Sequence, residues 1–157
     1  MTSNHWEDVF FDTSNLDFVD SYFLAVGLAR KVGKYRDMMS FEVEMQAVKH
    51  FEYMDHWEFN GVITGRWEKF LWDETIDTTL AFGIGPSIAT NEPEVELDNN
   101  GETSKFLIYW MIELTFSRPK RPRIVFITRL HHRSDAWGLA NQNGGSNGIG
   151  LGIKYKF

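Results

Sequence analysis

Large apolar side chains recur at every second position over most of this chain, and a period of two is the signature of β-strands with unlike faces. From Lys105 to Phe116 the even positions are Phe106, Ile108, Trp110, Ile112, Leu114 and Phe116, all apolar. Between them lie Lys105, Leu107, Tyr109, Met111, Glu113 and Thr115, a mixed face. The split repeats. Trp57, Phe59, Ile63 and Trp67 alternate with Glu58, Asn60, Thr64, Arg66 and Glu68, and Ile149, Leu151, Ile153 and Tyr155 alternate with Gly148, Gly150, Gly152 and Lys154. Candidate strands cover residues 6–12, 16–31, 38–52, 56–70, 76–90, 104–117, 123–134 and 147–157, the first of them short.

Which face turns inward follows from what keeps company with the polar residues. Ala and Gly sit on the charged face, while Trp, Phe and Ile crowd the other. A closed sheet of about eight strands has room inside for small groups and paired charges, but not for rings of Trp and Phe. Apolar outside and polar within is the pattern of a transmembrane β-barrel. The lumen is expected to hold a network of Glu42, Glu44, Glu58, Arg66, Glu68, Asp77, Glu113, Arg123 and Arg129, joined by Lys154 and Lys156. A soluble lipocalin-like barrel with a charged exterior is the alternative, since it too alternates. Mean hydropathy is −0.33. No run of about 18 apolar residues exists, so a membrane-spanning helix is excluded; a spanning strand needs only roughly 9–11 residues.

The connections fall into two sets. Gly33–Asp37, Leu71–Thr75 and Arg118–Pro122 are brief, whereas Asn91–Thr103 and Asp135–Ser146 are long and rich in Asn, Gly and Glu. Short periplasmic turns and long outer loops are the outer-membrane habit. With no repeat, low-complexity tract or linker, residues 1–157 read as one all-β domain, an eight-stranded antiparallel up-and-down transmembrane barrel of the outer-membrane type. The start, MTSNHWEDVFF, lacks the basic-then-apolar layout of a signal peptide, so an export signal is expected to have been removed or to lie outside these residues. The 22 acidic against 16 basic residues argue against nucleic acid as a partner, and the absence of cysteine excludes disulfides and thiolate metal sites.

The densest polar stretch is Leu130-His131-His132-Arg133-Ser134-Asp135. His132 and Ser134 are two apart and share the parity of Ile124, Phe126 and Leu130, the lipid-facing set, while Arg129, His131 and Arg133 face the lumen. There an imidazole can take the proton of a hydroxyl attacking an ester carbonyl. The plain alternative is a pair of interfacial polar residues where the strand leaves the bilayer. His131 and His132 face opposite ways and cannot share a metal. His5, His50 and His56 show no spacing that pairs them and read as ordinary surface or lumen residues.

The run His132-Arg133-Ser134-Asp135-Ala136, then Gly138, Asn143-Gly144-Gly145, Asn147 and a closing strand resembles the lipid A deacylase (PagL-type) family, whose pattern is H-x-S-N-A-G followed by N-x-G. The alternating Ile149, Leu151, Ile153, Tyr155 and Phe157 also resemble the terminal aromatic signal of bacterial outer-membrane barrels. The resemblance implies a bacterial outer-membrane esterase that removes the ester-linked 3-hydroxyacyl chain of lipid A, without cofactor or metal. Carried over, Ser134 is the nucleophile, His132 the general base and Asn147 the residue orienting it, with Gly138, Asn143 and Asp135 near the oxyanion and the substrate. Three positions depart from the pattern: Asn147 replaces a glutamate, Asp135 stands where asparagine is usual, and Trp137 lengthens the loop by one residue. A catalytically weak or inactive member that binds lipopolysaccharide or serves structurally is therefore the second reading. The expected partner is lipid A or lipopolysaccharide in the outer leaflet, and homodimerisation is left open.

Overall fold

The computed structural model describes residues 20–101, 103–135 and 145–157. Seven strands lie within them: β1 (Ser21–Tyr35), β2 (Met39–Glu52), β3 (Trp57–Trp67), β4 (Asp77–Ala89), β5 (Phe106–Arg118), β6 (Arg121–Ser134) and β7 (Gly145–Tyr155). Each pairs antiparallel with its neighbour in sequence, giving one up-and-down sheet in the order β1 to β7. The expected strand over 6–12, and the opening residues of the one over 16–31, fall outside the described residues.

Alternation decides the faces as expected. Leu24, Met45, Ile63, Phe82, Phe126 and Leu151 are exposed, while Glu44, Glu58, Thr64, Arg66, Glu113 and His131 are buried. The sheet is strongly curled, toward a half-barrel with the polar face concave. Four steps separate β2 from β6, roughly 19 Å in a flat sheet. Yet Arg129 of β6 donates from Nη1 to Glu44 Oε1 of β2 at 2.8 Å. Arg66 bridges Glu42 and Glu113, Arg129 also binds Glu113, and Lys154 of β7 reaches Glu113 at 3.1 Å. Buried charges cost several kcal/mol each unless paired, and here carboxylates and guanidiniums interleave so that each meets an opposite. Arg123 and Lys156 are exposed and stand outside this network.

Close interior approach needs glycine. A Cβ on Gly85 would stand 1.8 Å from the Gly61 carbonyl oxygen, and one on Gly148 would stand 2.7 Å from Phe23.

Two further expectations change. The strand expected to end at residue 31 runs on to Tyr35, because a bulge between Lys31 and Gly33 shifts the register. A bulge adds one residue and resets the parity, so the outward set passes from even positions (Leu28, Val32) to odd Tyr35. The long connection Asn91–Thr103 is not irregular throughout: it contains a helix, α1 (Glu94–Asn100). Its signals are local and readable. Pro93 stands at the N-cap, Glu94 and Glu96 occupy the first turn, and Gly101 ends the helix in the left-handed conformation with φ 71°.

Candidate active site

The sheet has a turn end, where β1 joins β2 and β5 joins β6, and a loop end, where α1 lies. His132 and Ser134 sit at the loop end of β6, and β7 begins beside them. Antiparallel register places His132 directly opposite Asn147, with Ser134 opposite Gly145. His131 and Arg133 turn to the concave side, so His132 and Ser134 project from the convex one.

Across the β6–β7 pair, His132 Nδ1 lies 2.6 Å from Asn147 Oδ1. An amide oxygen only accepts, so Nδ1 carries the proton and the Nε2 lone pair is left for chemistry. Trp110 of β5, in register with His132 on its other side, lays its ring against the imidazole with centroids 4.4 Å apart. The ring is thus held by an acceptor on one side and an aromatic surface on the other. Both His132 and Asn147 are buried although their strand face is the convex one. Ser134 is half-buried and follows on the same face, about 7 Å along the strand from His132. Asp135 comes directly after β6 and is also half-buried. Gly138 and Asn143 lie outside the described residues.

The backing of this site is an ion pair that sequence reading placed only as far as one inward arginine. Arg133 Nη1 donates to both oxygens of Glu96 at 2.8 and 2.7 Å, Nε to Ser87 Oγ at 3.1 Å, and Nη2 to the carbonyls of Ser104 and Lys105 at 2.7 and 2.8 Å. Glu96 also accepts from Ser146 Oγ at 3.0 Å and from Thr103 Oγ1. Arg133 separates His132 from Ser134, and Ser146 precedes Asn147. One helix carboxylate therefore ties down both strand ends that carry the candidate residues. Parity indicated that Arg133 faces inward; nothing local indicated Glu96 as its partner, 37 residues away.

Elsewhere at the loop end, His56 is buried in the connection between β2 and β3. Burial, and after it the neighbouring His50, pushes its pKa down to about 4.

Comparison with known proteins bears on the same architecture. The crystal structure of the outer membrane enzyme PagL superposes with a TM-score of 0.64 at 15% identity, covering 87% of this chain and 90% of that one. No curated protein sequence matches significantly. The family model for lipid A 3-O-deacylase (PagL) matches residues 22–156, which takes in every described strand but the first residue of β1, together with the His132–Asn147 pair. By that match over most of its length, the chain belongs to the lipid A 3-O-deacylase (PagL) family.

Proposed function

We propose that the protein is an outer-membrane esterase that hydrolyses the ester-linked 3-hydroxyacyl chain of lipid A, with Ser134 as nucleophile and His132 as general base. The observation that carries this reading is the His132–Asn147 hydrogen bond, which fixes the basic nitrogen on the convex, apolar face two residues from a serine. In this reading the β-strands, with residues 6–12 supplying an eighth, cross the outer membrane. Exposed Leu24, Phe82, Phe126 and Leu151 then meet acyl chains, and the loop end lies at the outer leaflet.

The chemistry needs no cofactor. Ser134 Oγ attacks the ester carbonyl while His132 Nε2 takes its proton, and the imidazolium then returns that proton to the departing sugar hydroxyl. Water attacks the acyl-serine by the same route and releases a 3-hydroxy fatty acid. Asn147 holds the imidazole in the required tautomer. Asn143 and the backbone near Gly138 are the proposed donors to the oxyanion, and Asp135 borders the substrate.

Mass spectrometry of lipid A incubated with wild type and with Ser134→Ala tests the assignment. Loss of one 3-hydroxyacyl mass with wild type alone is expected; equal turnover by Ser134→Ala refutes the nucleophile.

A second reading, a weak or inactive barrel that binds lipopolysaccharide, is favoured by one observation: the His132 partner is an amide and not a carboxylate. An amide orients the ring but adds no charge against the imidazolium. Unchanged lipid A with wild type, alongside saturable lipopolysaccharide binding, selects this second reading.

A further inference from the structure

A separate polar cluster occupies the loop end of the concave face, on the side of β6 away from His132. His50 lies near the end of β2, His56 just before β3 and Glu58 at its second residue. The His50 backbone N–H donates to the His56 carbonyl at 3.0 Å. That bond brings the two imidazoles face to face, with centroids 4.4 Å apart and planes 13° from parallel. Glu58, fully enclosed, lies 3.0 Å from Nε2 of His50 and 3.0 Å from Nε2 of His131.

A carboxylate only accepts, so His50 carries its proton on Nε2 and its lone pair on Nδ1. That Nδ1 is buried without a hydrogen-bond partner among the described residues, and so is Nε2 of His56. Buried ring nitrogens without partners are uncommon in folded proteins. Two on stacked neighbours, beside an enclosed carboxylate, are donor atoms of the kind that hold a metal ion. Metal-binding histidines also characteristically donate their other ring N–H to a carboxylate, which is the service Glu58 performs for His50. One donor atom from each of His50, His56 and Glu58 lies within 4.8 Å of the others. In tetrahedral zinc sites ligand atoms stand about 3.3 Å apart, so turning His56 out of its stack lets its Nε2 and His50 Nδ1 meet one ion, with Glu58 behind His50 holding the Nε2–H. Imidazole nitrogen favours zinc, copper, nickel or cobalt over magnesium and calcium.

We propose that His50, His56 and Glu58 form a binding site for a divalent transition-metal ion of the zinc class, clamping the β2–β3 connection to the concave face. The untagged full chain, folded in detergent and stripped with a chelator, is titrated with zinc, and bound metal is counted after dialysis. One ion per chain is expected, and cobalt substituted for zinc should give the visible absorption of a tetrahedral site. Glu58→Gln should weaken zinc binding about 10–100-fold, and His56→Gln at least as much. His131→Gln, which removes no ligand, should keep the one-to-one stoichiometry. Failure of wild type to retain zinc overturns the proposal, as does undiminished binding by both His50→Gln and His56→Gln. Should those variants not fold, imidazole ¹⁵N shifts of wild type decide: zinc must move His50 and His56, and movement confined to other histidines refutes the site.

Discussion

Replacing Asn147 by aspartate adds one negative charge at the proposed base while keeping the side chain's shape. The Asn147 oxygen already stands 2.6 Å from His132 Nδ1, so an isosteric carboxylate inherits the hydrogen bond without moving the strands. What changes is the interaction with the imidazolium formed as Ser134 attacks. At a charge separation of about 4 Å and an effective dielectric constant of about 20, that attraction is worth about 4 kcal/mol. At 1.36 kcal/mol for each factor of ten in rate, this corresponds to about 10³-fold. The same carboxylate must be desolvated in a buried position before any imidazolium exists, which takes back part of the gain. An increase of about 10–10³-fold in kcat is therefore expected for Asn147→Asp. Asn147→Glu should also gain, but less securely, because an extra methylene in a packed site costs about 1–3 kcal/mol. Release of 3-hydroxy fatty acid from lipid A, followed by mass spectrometry under saturating substrate, measures both. Equal or lower rates in both variants, with folding intact, would refute Asn147 as the residue that supports the base.

Three further outcomes follow from the packing. Glu96→Gln leaves the enclosed Arg133 guanidinium without its counter-charge, and breaking a buried pair in this way destabilises by about 3–5 kcal/mol; denaturant unfolding in detergent should register it, together with lower deacylation as the ends of β6 and β7 loosen. Gly85→Ala drives a methyl into the Gly61 carbonyl, so the β3–β4 pairing should open and the yield of heat-resistant folded protein fall, whereas Gly101→Ala meets open space and tests only the left-handed helix end. Because the folded-state pKa of His56 is lowered from 6.5 to about 4, the unfolded chain binds more protons between those values, and stability should drop as pH falls from about 6.5 toward about 4. His56→Gln should flatten that slope in metal-free thermal melts, and an unchanged slope would assign the acid sensitivity to another group.

Much of this protein was legible one strand at a time. Whether Phe82 or Gly83 meets the interior depends only on parity, a local property, and so the outward placing of His132 and Ser134 and the inward placing of Arg133 could be read from spacing alone. The α1 helix was readable too, from Pro93, the acids after it and Gly101, but a stretch rich in Asn and Glu between two strands draws the eye toward an irregular loop. What spacing cannot supply is register and curvature. Asn147 becomes the partner of His132 because β6 and β7 pair in one alignment, and a shift of one residue would have turned it to the other face. Glu58 meets His131 across 73 residues only because the sheet curls until distant strands face one another, and Glu96 meets Arg133 because α1 folds back over the loop end. Parity tells each side chain which face it joins; only the bent, aligned sheet decides which others it meets there.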